Sequence, residues 1–348
     1  MKKRQCLFNL LAMILLISIL VSGGSSSAVL AADDVIKWKC QTFYPTSSPS
    51  WKGSVLKVVK EIEERTNGRL VIEPFPASAL LQAKEILNGV KRGMIPMGVT
   101  AAAYTTAYVP ALGIASGLPY SFQSLSQAAY FFKLYGYENM VREIMLDKHG
   151  IHMFIDRIYP HELVTKKPVK TYDDFKGLKV RSSGVLLKFF ASIGTAATYI
   201  GGPELYTSLS TGLVEGAHWG AAMGANKMNL YDMCKYHLKP ALAISGTDFW
   251  AINDKAFKKL PEDIQTTVEQ VLELHFWKRT SEYEFGEITT LAKVQKEKGV
   301  VVSELSPADQ LKLRQAAIAI WDEEAKSDPS YAEAIKMLKE YLTKLGQL

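Results

Sequence analysis

Cysteine is scarce in this 348-residue chain, with three in all, at positions 6, 40 and 234. A small domain framed by disulfides is thereby excluded. Charge of one sign is also lacking. Lysine and arginine number 41 against 35 acidic residues, and with Lys2, Lys3 and Arg4 set aside 38 face 35. That balance carries no basic footprint, so no nucleic-acid partner is expected. Internal repeats and low-complexity tracts are absent, and beyond residue 30 no apolar run approaches the ~20 residues a membrane helix needs. Signatures of chemistry are missing too: there is no Gly-x-Ser-x-Gly elbow and no phosphate-cradling Walker loop. Of the six histidines only His149 and His152 have a ligand-like spacing, and no third ligand stands near them. A secreted hydrolase is therefore a distant alternative, and no cofactor is expected.

What is present begins with an address. Lys2, Lys3 and Arg4 form a basic start, Leu10 to Val21 an apolar stretch broken only by Ser18, and Val29-Leu30-Ala31 a small-residue cleavage site before Ala32. The stretch is too short to span a bilayer, and Gly23 and Gly24 stand where a lipid anchor would need cysteine. Residues 1–31 thus read as a signal peptide, and the mature chain is expected in the periplasm. Cys6 leaves with the leader. Arithmetic then allows one disulfide between Cys40 and Cys234, but apolar flanks favour two buried thiols.

The rest of the chain, 48% hydrophobic and 22% charged overall, is long enough for two domains. Ile36, Trp38 and Cys40 alternate with lysines as a strand does, and Val55, Leu56, Val59 and Ile62 share a helical face stopped by Asn67-Gly68. Arg69–Phe75 reads as a strand, Ala79–Val90 as a helix and Met94–Ala101 as a strand. The pattern restarts with helices at Leu125–Leu134 and Glu138–Leu146, a strand at Ile151–Arg157, and a Thr171/Asp174 cap. Strands at Leu178–Arg181 and Ala196–Ile200 flank a helix at Val185–Ser192, and Pro203 opens a helix ended by Gly212. This alternation predicts an α/β fold with mixed, mostly parallel sheets. From Pro261 to Lys298 an apolar stripe implies one very long helix, with a bend expected near Gly286. Gly216, Gly220 and Gly224 repeat every fourth residue and read as close backbone packing. A strand at Val300–Leu305 and helices from Ser306-Pro307 and after Pro329 close the chain.

Several motifs carry a family resemblance. Glu63-Glu64-Arg65-Thr66-Asn67-Gly68-Arg69-Leu70, Pro74-Phe75-Pro76, Val90-Lys91-Arg92-Gly93 and Leu118-Pro119-Tyr120 are followed by Asp174-Phe175-Lys176-Gly177-Leu178-Lys179-Val180-Arg181. Glu204-Leu205-Tyr206-Thr207-Ser208-Leu209, Gly212-Leu213-Val214-Glu215-Gly216 and Ile252-Asn253-Asp254-Lys255-Ala256-Phe257 complete the set. In this order they resemble the DctP-type solute-binding proteins of tripartite ATP-independent periplasmic (TRAP) transporters. The resemblance implies a two-lobed periplasmic binding protein with a ligand cleft between lobes and a long helix bracing both. One lobe would hold residues 32–156 and 246–285, the other 157–245 and 286–348. It further implies capture of a small organic acid and delivery to the TRAP membrane permease subunits, without catalysis; a module feeding a sensor is the other binding-protein reading.

The resemblance also assigns residues. Arg181 ends a strand where a guanidinium can offer a two-donor fork to a carboxylate; on the residues alone, pairing with Asp173 or Asp174 at the surface is the commoner fate. Trp219, after Ala217-His218, matches the branch associated with 2-oxo and hydroxy acids, and with Ile244 it points to an apolar or aromatic monocarboxylate. His218, His161, Tyr120, Tyr44, Ala101 and Ile244 complete the expected ligand site. Some members of that branch hold the ligand through a cation bound by a Gln, an acid and a Glu. The matching positions here are Pro160, His218 and Ile244, a set poor in the oxygen that hard cations require, so metal-independent binding is expected.

Overall fold

The computed structural model describes residues 35–348. The expected leader over 1–31 and Cys6 lie outside them. No helix among the described residues is long and apolar enough to cross a membrane.

Among the described residues eleven strands follow one another: β1 (Ile36–Thr42), β2 (Leu70–Phe75), β3 (Met97–Ala101), β4 (Ile151–His161), β5 (Leu163–Thr165), β6 (Lys179–Arg181), β7 (Ala196–Thr198), β8 (Gly216–His218), β9 (Tyr236–Lys239), β10 (Ala243–Asn253) and β11 (Val301–Glu304). They form two sheets, ordered β2-β1-β3-β10-β4 and β11-β9-β5-β8-β6-β7. Both are mixed. β1 and β3 are parallel while β10 runs antiparallel to β3 and β4; β6, β7 and β8 are parallel while β5 is antiparallel to its neighbours. Only Glu162 separates β4 from β5, so the chain passes from the first sheet to the second within one extended segment.

Local chemistry accounts for most helix limits. Lys57–Arg65 buries Val58, Val59 and Ile62 and stops where Asn67 and Gly68 take positive φ. Ser124 caps Leu125–Lys133 through the Gln127 amide. The Thr171/Asp174 capping box forms, although it opens only a short 3₁₀ turn, Tyr172–Phe175. The helix expected over Ala79–Val90 shrinks to Ile86–Lys91 behind a turn at Ala83–Glu85. The cause is long-range: buried Gln41 donates to the Pro76 carbonyl and accepts the Leu80 amide, which holds the approach to this helix in a loop.

Close packing explains two of the repeated glycines. A Cβ at Gly216 would lie 2.9 Å from the Val164 carbonyl oxygen, and one at Gly224 would lie 2.4 Å from that of Trp219. The long helix Glu262–Lys298 continues through Gly286, where a Cβ would come within 2.5 Å of Met223 Sδ in the neighbouring helix Ala222–Lys227. Cys40 and Cys234 are both free and buried. Helix Pro307–Ala325 carries buried Trp321, whose indole donates to the Pro119 carbonyl at 2.9 Å. The last helix, Pro329–Lys344, sets Tyr341 among Phe122, Phe131 and Tyr135.

The long helix is tied to the first sheet by buried charge. Asp156 of β4 accepts from Trp250 Nε1 at 2.9 Å, His275 Nε2 at 3.0 Å, Ser54 Oγ at 3.0 Å and Arg157 Nη1 at 2.5 Å. Arg157 reaches Asp248 of β10 at 2.7 Å, and Asp248 also accepts the Tyr44 hydroxyl at 2.6 Å. Burial alone would raise the Asp156 carboxyl, but His275, Arg157 and Arg279 outweigh it and hold it well below the usual range. Removing one member leaves uncompensated buried charge. Arg157→Met is therefore expected to cost about 3–5 kcal/mol of stability, read as a lower midpoint in urea unfolding; a loss below about 1 kcal/mol would show the cluster to be dispensable.

Candidate functional site

Arg181 ends β6, and its side chain turns inward: the residue is 5% exposed. Its Nε donates to the Ile200 carbonyl at 2.9 Å and Nη1 to the His218 carbonyl at 2.6 Å. The surface pairing with Asp173 or Asp174 does not form. Asp173 pairs with Lys176, and Asp174 closes its own capping box. Among the described residues no carboxylate lies within ion-pair distance of Arg181, and Nη2 has no hydrogen-bond acceptor. Burial lowers its pKa to about 10, which leaves it charged at neutral pH. Arg157 provides the contrast, since it is equally buried and held between two aspartates. A buried guanidinium without a counter-ion is an uncommon and costly arrangement.

Aromatic rings surround that charge. The Trp219 ring lies 4.4 Å and the Tyr199 ring 5.9 Å from the guanidinium carbon. Trp219 also packs edge-on against the backbone at Gly202, where a Cβ would come within 2.8 Å of the indole. From the first sheet, Tyr104 follows β3 and lies in the field of Arg181; burial, Asp248 and Tyr199 raise its hydroxyl pKa against the pull of that arginine. Tyr199 and Tyr104 were not foreseen. Their signal was available, because each stands just beyond the carboxyl end of a strand, where ligands of open α/β sheets bind.

Next to Arg181 a histidine pair bridges the two sheets. His161 Nδ1, at the end of β4, is hydrogen-bonded to His218 Nε2 of β8, and His218 Nδ1 meets Ser182 Oγ at 3.2 Å. Both ring nitrogens of His218 are thus engaged. His161 Nε2 is buried with no partner. It occupies space left by Gly117 and Gly246, where added Cβ atoms would lie 3.0 and 2.0 Å from it. The shared proton makes this nitrogen adaptable. If Ser182 donates into the chain, His161 Nε2 carries hydrogen; if the chain reverses, Nε2 presents a lone pair. Burial, then the Arg181 charge, pushes His161 down to about 4, and burial, His161 and Arg181 press His218 well below its ordinary value.

The other expected site residues divide. Tyr120 adopts φ 52°, a left-handed backbone uncommon for a bulky residue; its ring packs on Phe189, and its buried hydroxyl has no partner. Ile244 is half-buried beside the main core. Ala101 ends β3 opposite Asp248. Tyr44 is committed elsewhere, its hydroxyl lying between Asp248 and Arg157. His149 and His152 meet different partners, Lys91 at 3.0 Å and Asp254 at 2.9 Å. Their spacing reflects two separate surface contacts.

Comparison with known proteins places this geometry. The model of bacterial extracellular solute-binding protein family 7 (DctP) matches residues 41–328. A monocarboxylate 2-oxoacid-binding periplasmic protein of Nostoc sp. is 27% identical over 280 residues, covering 76% of this chain and 73% of its own. Two solved TRAP periplasmic solute-binding proteins share the fold at TM-score 0.80. One, from Pseudoalteromonas atlantica with bound sodium and pyruvate, is 22% identical and covers 90% of this chain and 95% of its own. The other, from Colwellia psychrerythraea with bound calcium and pyruvate, is 23% identical with the same coverages.

The lowered histidine pKa values set a pH expectation. Groups that stay neutral in the fold but protonate when unfolded weaken stability as pH falls from the ordinary histidine value of about 6.5 toward 4. In ¹⁵N-resolved imidazole spectra His161 and His218 should show no titration between pH 8 and 5.5. A midpoint near 6.5 for either would contradict the buried neutral pair.

Proposed function

The chain belongs to family 7 of the bacterial extracellular solute-binding proteins, and on that premise we propose that it captures a small monocarboxylate in the periplasm and delivers it to a TRAP permease. The observation that carries the ligand class is Arg181, a buried, charged guanidinium with no carboxylate of its own. A ligand carboxylate supplies the missing charge through the free Nη2 edge, and the Trp219 and Tyr199 rings wall it from water. In this reading the lobe of residues 32–156 and 246–285 closes on that of 157–245 and 286–348, and Tyr104 and Arg181 approach the ligand from opposite sides. Holding and releasing the solute is the whole task, and no bond is made or broken.

His161 Nε2 gives the second contact. A 2-oxo oxygen accepts from the N–H form, and a 2-hydroxyl donates to the lone-pair form, so the adaptable nitrogen suits both kinds of acid. His218 is its positioning partner, not the ligand contact, because its own nitrogens are engaged. Tyr120 offers a third polar atom, while Ile244 and Phe189 favour an apolar body over a sugar acid.

The solved structures with bound sodium or calcium and pyruvate raise the question of a cation here. The positions that the family resemblance gives to its ligands are Pro160, His218 and Ile244. Proline and isoleucine offer no side-chain oxygen, and His218 has no free nitrogen. Among the described residues no group of three or more His, Cys, Asp and Glu could hold a metal. These residues do not fit a resident hard cation.

Two measurements test the proposal. In a thermal-shift screen of monocarboxylates, 2-oxo, 2-hydroxy or aromatic acids should raise Tm by several degrees, since ligand at 100 times Kd adds about 2.7 kcal/mol; the shift should persist after dialysis against chelator. A response to sugar acids alone, or loss of binding on chelation, would refute the pocket as described. Arg181→Lys keeps the charge but loses the fork, and should weaken binding of the identified acid by ~2–4 kcal/mol in calorimetric titration while the protein stays folded. An unchanged Kd would remove Arg181 from the site.

A further inference from the structure

Glu287 lies on the inner face of the long helix Glu262–Lys298 and is 7% exposed. Its Oε2 accepts the Met223 amide at 2.7 Å, while Oε1 is buried and has no hydrogen-bond partner. Burial is the largest influence on this carboxyl and raises its pKa. The Met223 amide lowers it, Glu162 raises it, and Lys239 and Arg157 lower it, which leaves a value of about 7. The charged and titratable groups that face it are Glu162 from the link between β4 and β5, Arg157 from β4, Lys239 from β9, Tyr231 from the turn Leu230–Asp232, and Tyr283 one turn back on its own helix. Helix Ala222–Lys227 brings backbone amides, with Lys227 at its far end. Burial would raise Glu162 as well, but His237 and Lys239 outweigh it and hold it below its ordinary value; burial pushes both tyrosines up. Glu287 is thus the carboxyl of this set that changes charge near neutral pH.

What this carboxyl holds is the wall of the ligand site. Met223 belongs to the first turn of Ala222–Lys227, and that turn packs against Trp219: a Cβ at Gly224 would collide with the Trp219 carbonyl oxygen and lie 3.4 Å from Cδ1 of its indole. The indole also meets Gly202, and it lies 4.4 Å from the Arg181 guanidinium carbon. A short chain of contacts therefore runs from Glu287 through Met223 and Trp219 to Arg181. A second hold on the same loop is the Glu162 amide, which donates to the Gly220 carbonyl at 2.7 Å. That backbone bond carries no titrating atom. The bond at Met223 differs, because a hydrogen bond to an ionised acceptor is roughly twice as strong as one to a neutral acceptor.

We propose that Glu287 is a positioning residue of the ligand site: as a carboxylate it fastens the first turn of Ala222–Lys227, and with it the Trp219 ring over Arg181, and protonation loosens that hold, so that the protein grips its acid more weakly as its surroundings acidify. This rests on the reading of Arg181 and Trp219 as ligand-site residues. The charge that tightens the site also weakens the fold. Folding raises this pKa from 4.5, so the stability that the group contributes is present below that value and lost as pH rises through about 7.

The first test needs no ligand. In ¹H–¹⁵N spectra of the purified protein, the indole N–H of Trp219, picked out among six tryptophans by its loss in Trp219→Phe, should shift between about pH 8.5 and 5.5 with a midpoint near 7. In Glu287→Gln, which keeps the shape without the charge, it should stay fixed. Pyruvate is the binding probe, since it remains ionised throughout this range. In calorimetric titration its Kd should rise about threefold or more in the wild type from pH 8 to pH 5.5, and in Glu287→Gln it should stay near the weaker value at both. The variant should gain Tm at about pH 8 and gain less at about pH 5. An indole that does not titrate, one that titrates equally in the variant, a wild-type Kd independent of pH, or a variant Tm lowered at both pH values would each overturn the proposal. Absence of pyruvate binding at every pH would count against the ligand reading, and the indole titration would still decide the role of Glu287.

Discussion

The buried cluster around Asp156 fixes the frame on which everything else hangs. One carboxylate accepts hydrogen bonds from the next residue of β4, from β10, from the first helical segment and from the long helix. Four separate parts of the chain thus converge on two oxygens. A purely apolar contact would have allowed these elements to slide, whereas a charge withdrawn from water tolerates one arrangement of donors. That arrangement sets the register of β4 against β10, and through it the positions of His161 and Gly246.

Two buried arginines in this frame illustrate how one side-chain chemistry serves two ends. Arg157 is balanced by Asp156 and Asp248 and ringed by Tyr159 and Tyr283; it is part of the scaffold. Arg181 has the rings but not the acids. The difference lies in charge alone: one guanidinium is neutralised within the fold, and the other is not.

Much of this was legible in the sequence, and the remainder was hidden for a common reason. Alternating and helical periodicities are local, so β1, β2, the helix at Lys57–Arg65 and the long helix follow from residues close together in the chain. Arg181 could be singled out only through the family resemblance, because nothing in Lys179-Val180-Arg181 shows that the guanidinium is buried and unpaired. The commitment of Tyr44 to Asp248 spans two hundred residues, and the Gln41 bonds that shorten the helix before Val90 span about forty. The bridge from His161 to His218 was equally out of reach: each histidine was placed at the site, but which nitrogen remains free depends on Ser182 and on a contact between two sheets. At Gly286, where the length of the helix leads to the expectation of a bend, the structure shows a close approach to Met223.

The left-handed backbone at Tyr120 bears on how such a site drifts during evolution. Trp321 anchors the Pro119 carbonyl and the Tyr120 amide donates to Leu242, so the loop keeps its shape whatever side chain it carries. A non-glycine residue held in this conformation costs of order 1–2 kcal/mol. Replacement by glycine or asparagine would relax the backbone, which means that random substitution at position 120 is biased toward losing the ring. Among diverging copies of this gene, the residue found there would then act as a molecular fossil: a bulky side chain retained against the strain marks a lineage in which the ring is still under selection, and a glycine marks one released from it.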